Sequence, residues 1–171
     1  KGLLKSSIRD PNPVVFLENE VMYGQSFECP NSDKFFLPIG KAKVEKIGTD
    51  ITIVAFSIMV GKAIEAAIEL EKDGISAEVI NLRTLRPLDL TTIINSVKKT
   101  NRLITCEEGF GYSGIGSEIS SLIQENAFDW LDAPVLRVSG KDVPMPYAAN
   151  LEKLALPQVE EIISSVKNIC Y

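Results

Sequence analysis

A chain of 171 residues suits one core domain plus an appendage, and its 45% hydrophobic content can fill a sizeable interior. A formal net charge of −5 and a pI near 4.9 argue against nucleic acid as a partner, since phosphate binding needs clustered Lys and Arg. Histidine is absent, which removes the commonest general base, the Ser-His and Cys-His nucleophile pairs and the commonest metal ligand, and leaves Lys, Asp, Glu or Tyr chemistry open.

No apolar stretch approaches the roughly 20 residues of a membrane span, and no signal peptide is visible. The chain starts at Lys1 rather than Met, so an upstream segment is expected. Cys29, Cys106 and Cys170 are scattered and odd in number, with neither metal spacing nor a disulfide framework, which points to a reducing compartment.

In chain order, Leu3, Leu4 and Ile8 line a short helix, and Asp10-Pro11-Asn12-Pro13 makes a rigid break. Residues 14–17 read as a strand and 29–33 as a loop. Residues 1–40 are taken as the end of a preceding domain and a linker, with the core domain at 41–171. Residues 42–47 suit an edge strand and 51–56 an apolar strand. Val60, Ala63, Ile64, Ala67 and Ile68 repeat at helical spacing before a stop at Gly74. Residues 77–82 form the next strand. Asp89 caps a helix carrying Leu90, Ile93, Ile94 and Val97, with Lys98 and Lys99 in its last turn. Residues 102–106 are a third core strand, followed by a Gly-rich turn and a helix with Ile115, Ile119, Leu122 and Ile123 on one face. Residues 135–138 are a fourth, and Pro157 opens a final helix turning Val159, Ile162, Ile163 and Val166 inward. This alternation predicts a three-layer α/β/α fold with a mostly parallel sheet and an antiparallel edge strand.

Four features carry chemistry. Arg83 and Arg86, in the stretch 78–89, offer forks for carboxylates, phosphates or carbonyls, or they pin loops or a neighbouring subunit. Gly109, Gly111 and Gly114 match G-x-G-x-x-G, with Asp129 and Asp132 near the ribose spacing. That fingerprint belongs on a first strand, so a tight turn and close helix packing is the favoured role, with an anion at the amides left open. Glu107 and Glu108 follow the third core strand as an acid–base pair, or as one solvated and one arginine-paired carboxylate. The stiff apolar loop 142–147 and Trp130 serve as core cover or subunit interface.

Arg9-Asp10-Pro11-Asn12-Pro13-Val14-Val15, Leu17-Glu18-Asn19-Glu20, Met22-Tyr23-Gly24, Pro38-Ile39-Gly40-Lys41-Ala42, the stretch 78–89, Lys99-Thr100-Asn101-Arg102-Leu103, Leu131-Asp132-Ala133-Pro134 and residues 142–148 run in one order. Together they resemble the beta-subunit family of the thiamine-dependent first component of 2-oxo-acid dehydrogenase complexes. Leu17 to Glu20 and Val143 to Tyr147 resemble its pyruvate dehydrogenase branch, with the branched-chain enzyme as the alternative. A nucleotide-binding or purely structural interaction module is the alternative from other classes.

The resemblance implies a transketolase-like C-terminal domain preceded by the end of a pyrimidine-binding domain. It implies that pyruvate is decarboxylated on thiamine diphosphate and its acetyl unit passed to a lipoyl group, on the way to acetyl-CoA. The activating glutamate lies upstream in the family, and thiamine diphosphate and Mg2+ belong mainly to the alpha subunit of the full heterotetramer, so this segment alone is expected to be inactive. The implied partners are the alpha subunit, a second beta subunit and the peripheral binding domain of the dihydrolipoyl acetyltransferase. The family's structural K+ site maps onto Ser7, Ile8, Asp10 and Asn12, completed by carbonyls from upstream. Its acetyltransferase anchors map onto Asp132 and the terminal carboxylate of Tyr171, where the family usually ends in an aliphatic residue. The implied location is the mitochondrial matrix, or alternatively a bacterial cytoplasm or plastid. Neither nucleic acid nor membrane is an expected partner.

Overall fold

The computed structural model describes residues 1–170. Five strands form one sheet: β1 (Lys43–Lys46), β2 (Ile51–Ala55), β3 (Ala77–Asn81), β4 (Leu103–Phe110) and β5 (Leu136–Gly140). Their order is β1-β3-β2-β4-β5, parallel throughout except for β1, which runs antiparallel to β3. The expected three-layer sheet with an antiparallel edge is therefore present.

Central strands β2 and β3 bury nearly every side chain because helices cover both faces. On one face lie α2 (Met59–Lys72) and α6 (Val159–Cys170), over Ile51, Ile53, Val79 and Ile104. On the other lie α3 (Leu90–Thr100) and α4 (Ile115–Ala127), over Val54, Ile80, Leu82 and Leu103. Along α2 the inward line is Met59, Ala63, Ala66, Ala67 and Leu70, whereas Ile68 faces out at 50% exposure. The small side chains of Ala66 and Ala67 let this helix approach α6 and the sheet.

Some expectations are revised. Residues 14–17 form no strand; they have no ladder partner among the described residues, and Val15 and Leu17 are more than 80% exposed. β4 continues to Phe110, so Glu107 and Glu108 lie within it rather than after it. A further short helix, α5 (Ala149–Ala155), follows the 142–147 loop.

The N-terminal part is built separately. In α1 (Gly2–Arg9), the Ser6 hydroxyl donates to Leu37 O at 2.6 Å, and Lys1 Nζ to Pro30 O at 2.7 Å. Lys5 and Arg9 stand over the Phe36 ring at 4.7 and 4.4 Å from its centroid. Helix α1 is thus fastened mainly to residues 30–37.

Asp89 ties the start of the core domain to α3. It caps α3, accepting from Thr92 N at 3.3 Å and the Thr92 hydroxyl at 2.9 Å, and it also accepts from Ala42 N at 3.1 Å. Burial alone would raise its pKa, but the Thr92 and Ala42 hydrogen bonds and nearby Lys41 bring it below the ordinary 3.8. A lowered carboxylate pKa stabilises the fold above the ordinary value, and that contribution disappears as pH falls through the folded value. Asp89→Ala is expected to cost about 1–2 kcal/mol at pH 7. In urea unfolding followed against pH, the gap from wild type should narrow below pH 3.8; a constant gap would contradict the assignment.

Candidate functional site

In open α/β sheets, ligands gather outside the carboxyl ends of the strands. Here that region starts at the end of β4, and the protein's own groups occupy it. The Glu107 carboxylate, 4% exposed, accepts from Ile115 N at 3.0 Å and from Gly116 N at 2.9 Å. It caps α4, satisfying two of the amides that a helix start leaves unpaired. A β-carbon on Gly116 would lie 2.9 Å from Glu107 Oε1 and 2.5 Å from Thr105 Oγ1, so this approach needs glycine. The Gly-rich turn therefore packs a helix onto a side chain, and the Ile115 and Gly116 amides are taken by Glu107 rather than open to an anion.

Glu108 points elsewhere, as alternation along a strand requires. Its Oε2 accepts from Asn19 Nδ2 at 3.0 Å, which fastens the 3-10 helix Glu20–Gly24 near the sheet's carboxyl end. Glu107 and Glu108 consequently face different partners, and among the described residues neither is ion-paired with an arginine; both alternatives expected for them are corrected. Cys106, beside them, is fully buried, and burial with the Glu107 charge keeps its thiol far above the usual range. No thiolate nucleophile exists there.

Of the two arginines in 78–89, Arg83 is half-buried with φ +58° and Arg86 is exposed before a cis peptide to Pro87. Burial pushes the Glu45 carboxyl up, but hydrogen bonds from Lys43 and Asn81 and the charges of Lys43 and Arg83 hold it below its ordinary value. Arg83 thus acts on the edge strand. The same stretch hides a polar network that sequence reading missed. Glu78, 3% exposed, accepts from the Ser96 hydroxyl at 2.5 Å and from Lys99 Nζ. The Thr52 hydroxyl lies 2.6 Å from those of both Ser96 and Thr100. A Glu inside an otherwise apolar strand was the available signal.

A second arrangement lies at the opposite ends of the strands. Asn101, left-handed at φ +60°, ends α3; its side chain donates to Trp130 O at 2.8 Å and its carbonyl accepts from Asp132 N at 2.9 Å. Arg102 Nη2 lies 3.8 Å from Asp132 Oδ2, while its Nε donates to Ile169 O at 2.9 Å in the last turn of α6. Asp132 is 59% exposed and forms part of the wall of an open groove of about 600 Å³ with Ser120, Gln124, Phe128 and Pro134. Phe128 and Trp130 are exposed at 62% and 46%, with Lys98 Nζ 5.6 Å from the Trp130 ring centroid. The structure thus brings Asp132 and the end of α6 to one edge. Tyr171, the other expected anchor, lies outside the described residues. Arg102, read from sequence as the start of a strand and as part of a matching segment but not as a site residue, is the residue that joins them.

Ser7, Ile8, Asp10 and Asn12 sit on one turn at the end of α1. Ser7 O accepts from Asp10 N at 3.3 Å, and Asp10 Oδ1 accepts from Asn12 N at 2.9 Å and Asn12 Nδ2 at 3.0 Å. The last carbonyls of a helix lack intrahelical donors, so this turn presents oxygen ligands of the kind K+ takes. Among the described residues, no group of three or more His, Cys, Asp or Glu side chains could hold a metal ion. With the α4 amides capped by Glu107, these residues do not fit a diphosphate–magnesium site. No helix among them is long and apolar enough to cross a membrane.

The profile of the transketolase C-terminal domain matches residues 40–162. The chain is 61% identical over 171 residues to the pyruvate dehydrogenase E1 component subunit beta of Rhizobium meliloti, covering all of this chain and 37% of that protein. It is 60% identical to the mitochondrial pyruvate dehydrogenase E1 component subunit beta-1 of Oryza sativa, covering all of this chain and 46% of that one. The chain therefore spans less than half the length of these two curated relatives. Among solved structures, a split-gene transketolase, described as an inactive beta4 tetramer, superposes with a TM-score of 0.70 at 30% identity, covering 81% of this chain and 44% of that one. The chain belongs to the transketolase C-terminal domain family, and along its whole length it resembles beta subunits of the pyruvate dehydrogenase E1 component.

Proposed function

We propose that this chain is the assembly and docking part of a pyruvate dehydrogenase beta subunit. In this reading the active enzyme is a heterotetramer with an alpha subunit, using thiamine diphosphate and Mg2+ to decarboxylate pyruvate and pass the acetyl unit to a lipoyl group. This chain's side chains hold neither cofactor, and the segment alone is inactive. Residues 1–40 are the end of a preceding pyrimidine-binding domain and its linker; the separate fastening of α1 to residues 30–37 supports that division. The carbonyl turn at Ser7, Ile8, Asp10 and Asn12 holds a structural K+ that upstream carbonyls complete. A second beta subunit covers the apolar 142–147 loop, where Met145 and Tyr147 are exposed. The location is the mitochondrial matrix, with a bacterial cytoplasm or plastid as the alternative; the mitochondrial and bacterial relatives support the first two. The identity to pyruvate dehydrogenases favours this substrate over branched-chain 2-oxo acids.

The observation that carries the docking role is the joining of Asp132 and the last turn of α6 at one edge by Arg102. Asp132, together with the terminal carboxylate of Tyr171, accepts charge-assisted hydrogen bonds from basic residues of the acetyltransferase peripheral binding domain. Asp132→Asn keeps the shape and removes the charge. The assembled heterotetramer carrying it should bind that domain about tenfold more weakly and lose part of its salt dependence, with unchanged thermal stability. Unaltered affinity at low and moderate salt in titration calorimetry would refute the role.

A further inference from the structure

Arg102 sets up a sign conflict at this edge. A partner attracted by Asp132 is basic, yet Arg102 places a fixed positive charge beside that carboxylate, with Nη2 3.8 Å from Asp132 Oδ2. On charge alone, the arginine works against docking. Its geometry does something else. One guanidinium reaches three segments that are distant in sequence. Nε donates to Ile169 O at 2.9 Å in the last turn of α6. Nη1 donates to Asp50 O at 3.5 Å, just before β2. Nη2 faces Asp132. The arginine side chain is only 29% exposed, so the fork is held against the body of the domain.

The reach to Asp132 exceeds hydrogen-bond length, so Arg102 orients that carboxylate without using up its acceptor positions. The backbone completes the frame, since Asp132 N donates to Asn101 O at 2.9 Å and Asn101 Nδ2 to Trp130 O at 2.8 Å. The carboxylate therefore stands on a fixed loop beside a fixed helix end. A carboxylate held in place on a fixed loop spares a partner the entropy of ordering it.

We propose that Arg102 is a positioning residue of the docking edge, fixing Asp132 and the C-terminal turn of α6 in one register for a basic partner domain. This rests on the docking reading above. A lysine cannot do the same, because a single ammonium lacks the planar fork that spans three acceptors.

The test uses the assembled heterotetramer and the acetyltransferase peripheral binding domain as probe, by titration calorimetry. Arg102→Gln should weaken binding about tenfold, although deleting a positive charge beside an acidic anchor would by itself strengthen it. Combined with Asp132→Asn, the loss should stay near that of one substitution, because each removes the same constrained carboxylate. Arg102→Lys should also bind several-fold more weakly; it serves as the cycle partner if Arg102→Gln does not assemble. If Arg102→Gln binds as well as or better than wild type while Asp132→Asn is weak, the positioning role is wrong and the docking reading stands. Losses that multiply to about a hundredfold in the double variant also overturn it, since independent effects add in free energy. If Asp132→Asn binds normally, the docking reading falls and takes this inference with it.

Discussion

Replacing Glu107 with alanine should lower stability by about 3–4 kcal/mol, because two buried amide hydrogen bonds to a carboxylate disappear and their donors stay buried. For a domain of this size that is a drop in melting temperature on the order of 10 °C. Glu107→Gln keeps one acceptor and should lose about half as much. The alanine variant carries a second signature: sulfate should raise its melting temperature by filling the vacated α4 amides, whereas wild type should show no such dependence beyond general salting. A loss under 1 kcal/mol in guanidinium unfolding, or an equal sulfate response in both proteins, would show that Glu107 does not cap α4 as described.

Glu78→Ala is expected to cost about 2–4 kcal/mol, the second largest effect. It removes the acceptor for Ser96 and the partner of Lys99, and it leaves a space between β3 and α3. The Thr52, Ser96 and Thr100 hydroxyls then keep one another, and Thr100 keeps the carbonyls of Ser96 and Arg102. Lys99→Met should cost less, because its 42% exposed ammonium is screened by water and Glu78 keeps the Ser96 hydroxyl. Urea unfolding of both variants checks the ranking; Lys99→Met proving the more damaging would contradict it.

The core elements were readable because their signals are local. The apolar runs of β2 and β3, the 3.6-residue spacing in α3 and α6, and the Asp89 cap each depend on neighbours in sequence. What stayed hidden depends on distant residues. Glu107 looked like the end of a strand, since a carboxylate in a buried ladder makes sense only with the amides of Ile115 and Gly116 beyond the turn. Residues 14–17 have strand composition, but a strand needs a neighbour, and none is offered among the described residues. The spacing in α2 located the helix but left open which flank of its apolar stripe meets the sheet; Ile68 lies on the outer one. Asp132 came from a family resemblance rather than from its own surroundings. Arg102 lies in one of the matching segments, but nothing local shows that it bridges residues 50, 132 and 169.

The capping of α4 by Glu107 also has a meaning in terms of competition. The carboxylate is tethered to the amides it occupies, so its effective concentration there far exceeds that of any dissolved anion. Cellular phosphate or nucleotide levels can rise and fall without displacing it, because a tethered competitor never dilutes. A glutamate codon becomes an alanine or glycine codon by one base change. A single mutational step from this sequence would therefore turn a sealed turn into a receptor whose occupancy follows the anion pool around it.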